Sequence, residues 1–231
     1  MSNYRIGIID EDPADVDYIK RTIYINKPKS IKEEQVDYWE PPLQFDADGS
    51  DESIVKNLVE AITDEVVQII IIDYKIIVKP KTYEGTEIFK KIAEAVPKFP
   101  LIMLSNLSED CYSKEFVDAD KVYSKQDFFK IESDYSKEKV ANIFRNMDKY
   151  ISQRSKLSTQ LVEQLGRLEK EGFTVDSLRS IVEIEKSLDN YTPQNQNTVE
   201  KALDFSELKE AVDILIKVQD LIGGIDENKG F

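Results

Sequence analysis

The sequence has no histidine, and its 231 residues include one cysteine, one tryptophan, eight glycines and eight prolines. Without histidine there is no serine–histidine–aspartate hydrolase, no histidine-ligated zinc and no phosphohistidine formed on this chain. A histidine-phosphotransfer bundle is excluded for the same reason. Cys111, alone, makes neither an internal disulfide nor a cysteine-based metal site, and with no histidine to activate it, it reads as an incidental thiol. Positive charge is also scarce. The 31 Lys+Arg against 45 Asp+Glu leave a net charge of −14, the wrong sign for the phosphate contacts that supply most non-specific nucleic-acid affinity. No DNA partner is expected. No apolar run approaches the ~20 residues of a membrane-spanning helix, and Met1 to Asp10 lacks the basic-then-apolar layout of a signal peptide. A soluble, cytoplasmic protein without a membrane partner is the expectation.

The first half of the chain alternates short apolar runs with amphipathic stretches, the sequence form of a parallel sheet covered by helices. Tyr4 to Ile9 reads as a first strand, followed by Asp12-Pro13-Ala14-Asp15 as a helix start and the stripe Val16, Ile19, Ile23. Residues 26–50 are punctuated by Lys27-Pro28-Lys29 and Pro41-Pro42, with Gln35 to Trp39 as a second strand between long loops. Glu52 to Ile62 has helical spacing. Val66 to Ile72, nearly all Val and Ile, suits a strand buried on both faces. A loop through Lys79-Pro80-Lys81 leads to a helix from Gly85, then to the strand Leu101 to Leu104, a helix over 108–116, and a fifth strand, Asp120 to Ser124. The fold class expected is α/β, a doubly wound five-stranded parallel sheet.

From Ser136 the chain turns glycine-poor and heavily charged, with apolar residues recurring at helical steps to Glu171. Asp176 to Tyr191 and Val199 to Ile222 repeat such stripes. The expected organisation is therefore a first domain over 1–133, with an insertion around 26–50, and an all-α helical hairpin or bundle over 134–231.

Chemistry concentrates where the strands end. Asp10 and Glu11 follow the first strand and Asp73 the third, and in a parallel sheet these ends lie together. Carboxylates crowded this way raise one another's proton affinity unless a cation intervenes, and hard oxygen ligands favour Mg²⁺. Ser105 ends the fourth strand and Lys125 ends the fifth, adding a hydroxyl and a positive charge to the same rim. Singly, each has an ordinary reading: a helix cap, a turn hydroxyl, a solvated lysine. Jointly, after four different strands, they supply a nucleophile, a site for a divalent cation and donors for phosphoryl oxygens.

The stretches Ile6-Gly7-Ile8-Ile9-Asp10-Glu11-Asp12-Pro13, Ile70-Ile71-Ile72-Asp73-Tyr74-Lys75, Gly85-Thr86-Glu87-Ile88, Leu101-Ile102-Met103-Leu104-Ser105 and Val122-Tyr123-Ser124-Lys125 resemble the receiver domains of two-component response regulators. The resemblance covers about residues 4–130 and implies the flavodoxin-like receiver fold. By position it implies that Asp10 and Glu11 hold Mg²⁺, that Asp73 is the phosphorylated aspartate, and that the Lys75 backbone carbonyl completes the metal shell. It further implies that Ser105 is the switch hydroxyl and Lys125 the phosphate-binding lysine. Several positions depart from the family pattern. The second acid is Glu, 62 positions separate Glu11 from Asp73, and the Asp73 to Gly85 interval is long as well. Gln126 replaces the usual proline after the lysine, and Val122 stands where the aromatic switch is usual, with Tyr123 one residue later.

The resemblance implies a response regulator accepting a phosphoryl group on Asp73 from a histidine kinase or histidine phosphotransfer protein. The helical region would be the output, working by homodimerisation or by docking an output protein. No separate enzymatic domain is expected. The alternative is a pseudo-receiver, a protein-binding scaffold that is not phosphorylated. An aspartyl-phosphate phosphatase of the haloacid-dehalogenase type is disfavoured, because its second acid two positions after the nucleophile is here Lys75.

Overall fold

The computed structural model describes residues 4–46, 50–79, 81–106, 119–171 and 175–193. Cys111, the helix expected over 108–116 and the helix expected from Val199 lie outside the described residues. The chain divides into two compact units, Met1–Ser152 and Gln153–Phe231.

In the first unit, five parallel strands form one sheet: β1 (Tyr4–Ile9), β2 (Val36–Trp39), β3 (Ile69–Asp73), β6 (Leu101–Ser105) and β7 (Val122–Ser124). Their order is β2-β1-β3-β6-β7. Winding reverses between β1 and β3, so a crevice forms at the carboxyl ends of those two strands.

Helix α1 (Pro13–Asn26) begins where the sequence predicts. The Asp12 side chain accepts the Ala14 N–H and Pro13 occupies the first turn, where its missing N–H costs nothing. Alternation along the strands then sorts the core into two layers. Ile6, Ile8, Ile69, Ile71, Ile102 and Leu104 pack with Val16, Ile19 and Ile23 of α1 and with Val140, Ile143, Phe144 and Met147 of α5 (Asp134–Glu171). On the other side, α2 (Glu52–Thr63) packs on α3 (Gly85–Ala95), and α3 on β3 and β6.

The change in composition near Asp134 marks the start of α5, whereas the compact units divide inside that helix, at Ser152 and Gln153. Tyr4 explains part of the first unit's claim on α5: its ring meets Phe144 edge-on at 5.3 Å, and its hydroxyl donates to Asp148 Oδ1 at 2.8 Å. In the second unit, Leu161 and Leu168 of α5 pack with Leu178, Ile181 and Val182 of α6 (Val175–Leu188).

One expectation is corrected outright. The segment between Asp73 and Gly85 is not a loop but an antiparallel hairpin, β4 (Lys75–Val78) and β5 (Lys81–Glu84), with Lys75 opposite Glu84 and Ile76 opposite Tyr83. Pro80 masked two strands of four residues each, too short for periodicity to register. The hairpin ties into the other lengthened segment, since Phe45 stacks on Tyr83 with ring centroids 3.4 Å apart.

The hairpin closes beside its own start, where the Gly85 N–H donates to the Tyr74 carbonyl at 2.8 Å. A Cβ on Gly85 would fall 2.0 Å from the Asp73 carbonyl oxygen, so only glycine lets α3 begin there. Gly85→Ala is expected to cost about 1–3 kcal/mol or more, as overpacking against backbone does. It should appear in urea unfolding as a lower midpoint at unchanged slope.

Candidate functional site

Register brings the first two acids together. Ile9 of β1 pairs with Ile72 of β3, so Asp10, just past β1, and Asp73, the last residue of β3, come side by side. β7 lies two strands from β3, about 10 Å away at ordinary strand spacing, a gap that a lysine reaching toward an aspartate closes.

Lys125 is not the last residue of a strand but the first of the short helix α4 (Lys125–Phe128). Ser124 caps that helix by accepting the Asp127 N–H at 3.3 Å, and its own N–H donates to the Tyr135 hydroxyl at 2.8 Å. Lys125 is 4% exposed. Its ammonium donates to Asp10 Oδ2 at 2.8 Å, Asp73 Oδ1 at 2.7 Å and Asp15 Oδ2 at 2.6 Å. The other oxygens of the first two acids accept backbone N–H groups: Asp10 Oδ1 from Asp12 and Asp73 Oδ2 from Lys75, at 2.9 and 2.8 Å.

The electrostatics are those of an under-neutralised cluster. Burial by itself would lower the proton affinity of Lys125, but its hydrogen bonds to Asp10, Asp15 and Asp73 outweigh burial and hold the ammonium above its ordinary range. Burial raises Asp10 and Asp73 above the ordinary carboxyl value. Lys125 opposes the rise in both, and the charge of Glu11 adds to it at Asp73. Glu11 Oε2 is buried with no hydrogen-bond partner. Three carboxylates, Asp10, Asp15 and Asp73, thus share one ammonium, and the charge of Glu11 bears on Asp73 beside them, so the four acids exceed that cation by three formal negative charges.

Among the described residues no three metal-ligating side chains converge as they stand; the Lys125 ammonium bridges Asp10 and Asp73 instead. The donor chemistry nonetheless fits a hard dication. The groups at this rim are carboxylate oxygens, and the orphaned Glu11 oxygen is an acceptor with nothing to accept.

Ser105 ends β6, between β3 and β7, buried and opposite Ser124. Lys75 has an exposed side chain and is tied to Asp73 through its own N–H. Val122 and Tyr123 are both buried, and Tyr123 faces the core, its ring 6.3 Å from that of Phe128 and under the Lys139 ammonium at 5.1 Å.

Asp15 escapes the sequence reading. It is the third residue of α1, a position where acids are common because they complement the helix N-terminus. The weak signal available was its presence two residues after a proline already committed to the turn.

A five-stranded parallel sheet in this order, with an acid after β1, an acid ending β3 and a buried lysine after β7, has the flavodoxin-like receiver fold. No family model and no curated protein matches the chain. Among solved structures it is similar to the Salmonella typhimurium RcsB response regulator, in a study of conformational dynamism for DNA interaction. That similarity has 15% identity and a TM-score of 0.39 over 84% of this chain and 95% of that one. The strand order, not this distant likeness, defines the fold. Among the described residues no helix is long and apolar enough to cross a membrane.

Proposed function

We propose that the chain is a phosphoacceptor response regulator. The observation that carries the reading is the Asp73 carboxylate, fixed at the sheet's switch point between the Lys75 N–H and the buried Lys125 ammonium. Held this way, one carboxylate oxygen is presented as a nucleophile while charge for an incoming phosphoryl group stands beside it. The donor is a phosphohistidine on a partner kinase or phosphotransfer protein, because this chain has no histidine. An Asp73 oxygen bonds to phosphorus, the phosphorus–nitrogen bond breaks, and the departing imidazole takes a proton from solvent.

Asp10, Glu11, Asp73 and the Lys75 carbonyl are the groups that would hold Mg²⁺, which supplies positive charge against the phosphoryl oxygens. Lys125 donates to those oxygens, and Ser105 offers its hydroxyl from the neighbouring strand end. The product is a signal rather than a turnover, read out by α5 and α6 through dimerisation or a docked protein.

Isothermal titration with Mg²⁺ and beryllofluoride tests the acceptor reading. Saturable one-to-one uptake that needs both components is expected. Absence of heat with either order of addition would establish the scaffold alternative instead.

A further inference from the structure

We infer that Asp15 is a positioning residue that holds Lys125 at rest and gives it up to the phosphoryl group, so that it sets how tightly Asp73 keeps its phosphate. The inference rests on the phosphoacceptor reading above.

An ammonium has three N–H donors, and in Lys125 all three are spent, on Asp10, Asp15 and Asp73. A phosphoryl oxygen arriving on Asp73 needs one of them, so one carboxylate must let go. Burial decides which. The Asp10 side chain is 2% exposed and its other oxygen is held by the Asp12 N–H, so it has no water to turn to and, if released by Lys125, would have only the metal to answer its charge. Asp73 carries the phosphoryl group itself. The Asp15 side chain is 28% exposed and can return to water at least cost.

The ordinary explanation for an acid at this position does not apply. The third residue of a helix can complete a capping box by reaching back to the N–H of the N-cap residue. Here that N–H, from Asp12, donates to Asp10 Oδ1, so the cap is complete without Asp15. Its carboxylate turns to Lys125 instead, making the shortest of that lysine's three ion pairs.

The test compares wild type, Asp15→Asn and Asp17→Asn, the last removing an exposed charge from the same helix. With Mg²⁺ present, Asp15→Asn should bind beryllofluoride about tenfold more tightly, the worth of one charge-assisted hydrogen bond. Asp17→Asn should stay within about twofold, because solvent screens an exposed charge. In the metal-free protein, proton exchange at the Lys125 ammonium, followed by nitrogen-15 NMR, should quicken in Asp15→Asn and not in Asp17→Asn. Uptake by wild type with Asp15→Asn equal or weaker overturns this inference alone. No uptake by wild type overturns the acceptor reading and this inference with it.

Discussion

Replacing Lys125 with methionine is expected to cost about 3–5 kcal/mol of stability near neutral pH, the usual loss when one partner of a buried ion pair is removed. At about 2–4 °C per kcal/mol for a chain of this size, the melting temperature should fall by roughly 6 °C at the least. Methionine conserves the stem, so the loss reports charge rather than packing. Without the ammonium, no other cation among the described residues pairs with Asp10, Asp15 or Asp73. The variant's deficit should therefore shrink in mildly acidic buffer, where Asp10 and Asp73, already pushed upward by burial, take up protons in its place. Lys130→Met is the control. Its pair with Asp127 is short, 2.7 Å, but both side chains are largely exposed, and its melt should hardly move. Thermal melts by circular dichroism in chelator decide the matter; equal melting of Lys125→Met and wild type would mean the cluster does not depend on this cation.

Asp73→Asn should do two opposite things at once. Incorporation of phosphate from a small donor such as acetyl phosphate, in Mg²⁺, should fall from up to one group per chain to none, because an amide oxygen is not the required nucleophile. In chelator the same variant should melt higher, by about 2–4 °C for each kcal/mol of repulsion relieved. The sign follows from proton linkage. Asp73 binds its proton more tightly in the fold than at the ordinary value of 3.8, so its contribution favours folding in acid. That contribution is lost as pH rises through the raised value. The stabilisation by Asp73→Asn should accordingly be small near about pH 3 and complete near about pH 7. Function and stability then pull apart at one residue, as expected where charge is crowded for a purpose.

Strand ends made much of this legible in advance. Asp10 and Asp73 could be placed together from sequence because both follow unbroken apolar runs, and parallel neighbours must end on the same rim. Lys125 followed for the same reason, although its place at the head of α4, and its burial, depend on the Ser124 cap and the packing of Phe128. Other features had no local signature. β4 and β5 are held by pairing with each other and by Phe45 from a distant loop, contacts that no periodicity announces. Asp15 was hidden by a plausible local role, and only the direction of the Asp12 N–H reveals that the role is already filled. The charge excess was legible in part: Asp10, Glu11 and Asp73 crowd at strand ends that the sequence places together, whereas Asp15 joins them only through its pair with the buried Lys125.

The β4–β5 hairpin has a consequence for how such a protein can be remade. Lys75 stands opposite Glu84, and Gly85 bonds back to Tyr74, so the chain leaves and re-enters the domain at nearly one point. A segment whose two ends already meet adds little closure entropy however long it grows. From Ile76 onward it behaves as a cassette: its tip can be lengthened, shortened or exchanged while Asp73 stays anchored to β3 and to the Lys75 N–H, and an epitope or fluorescent reporter spliced between its strands would ride beside the acceptor.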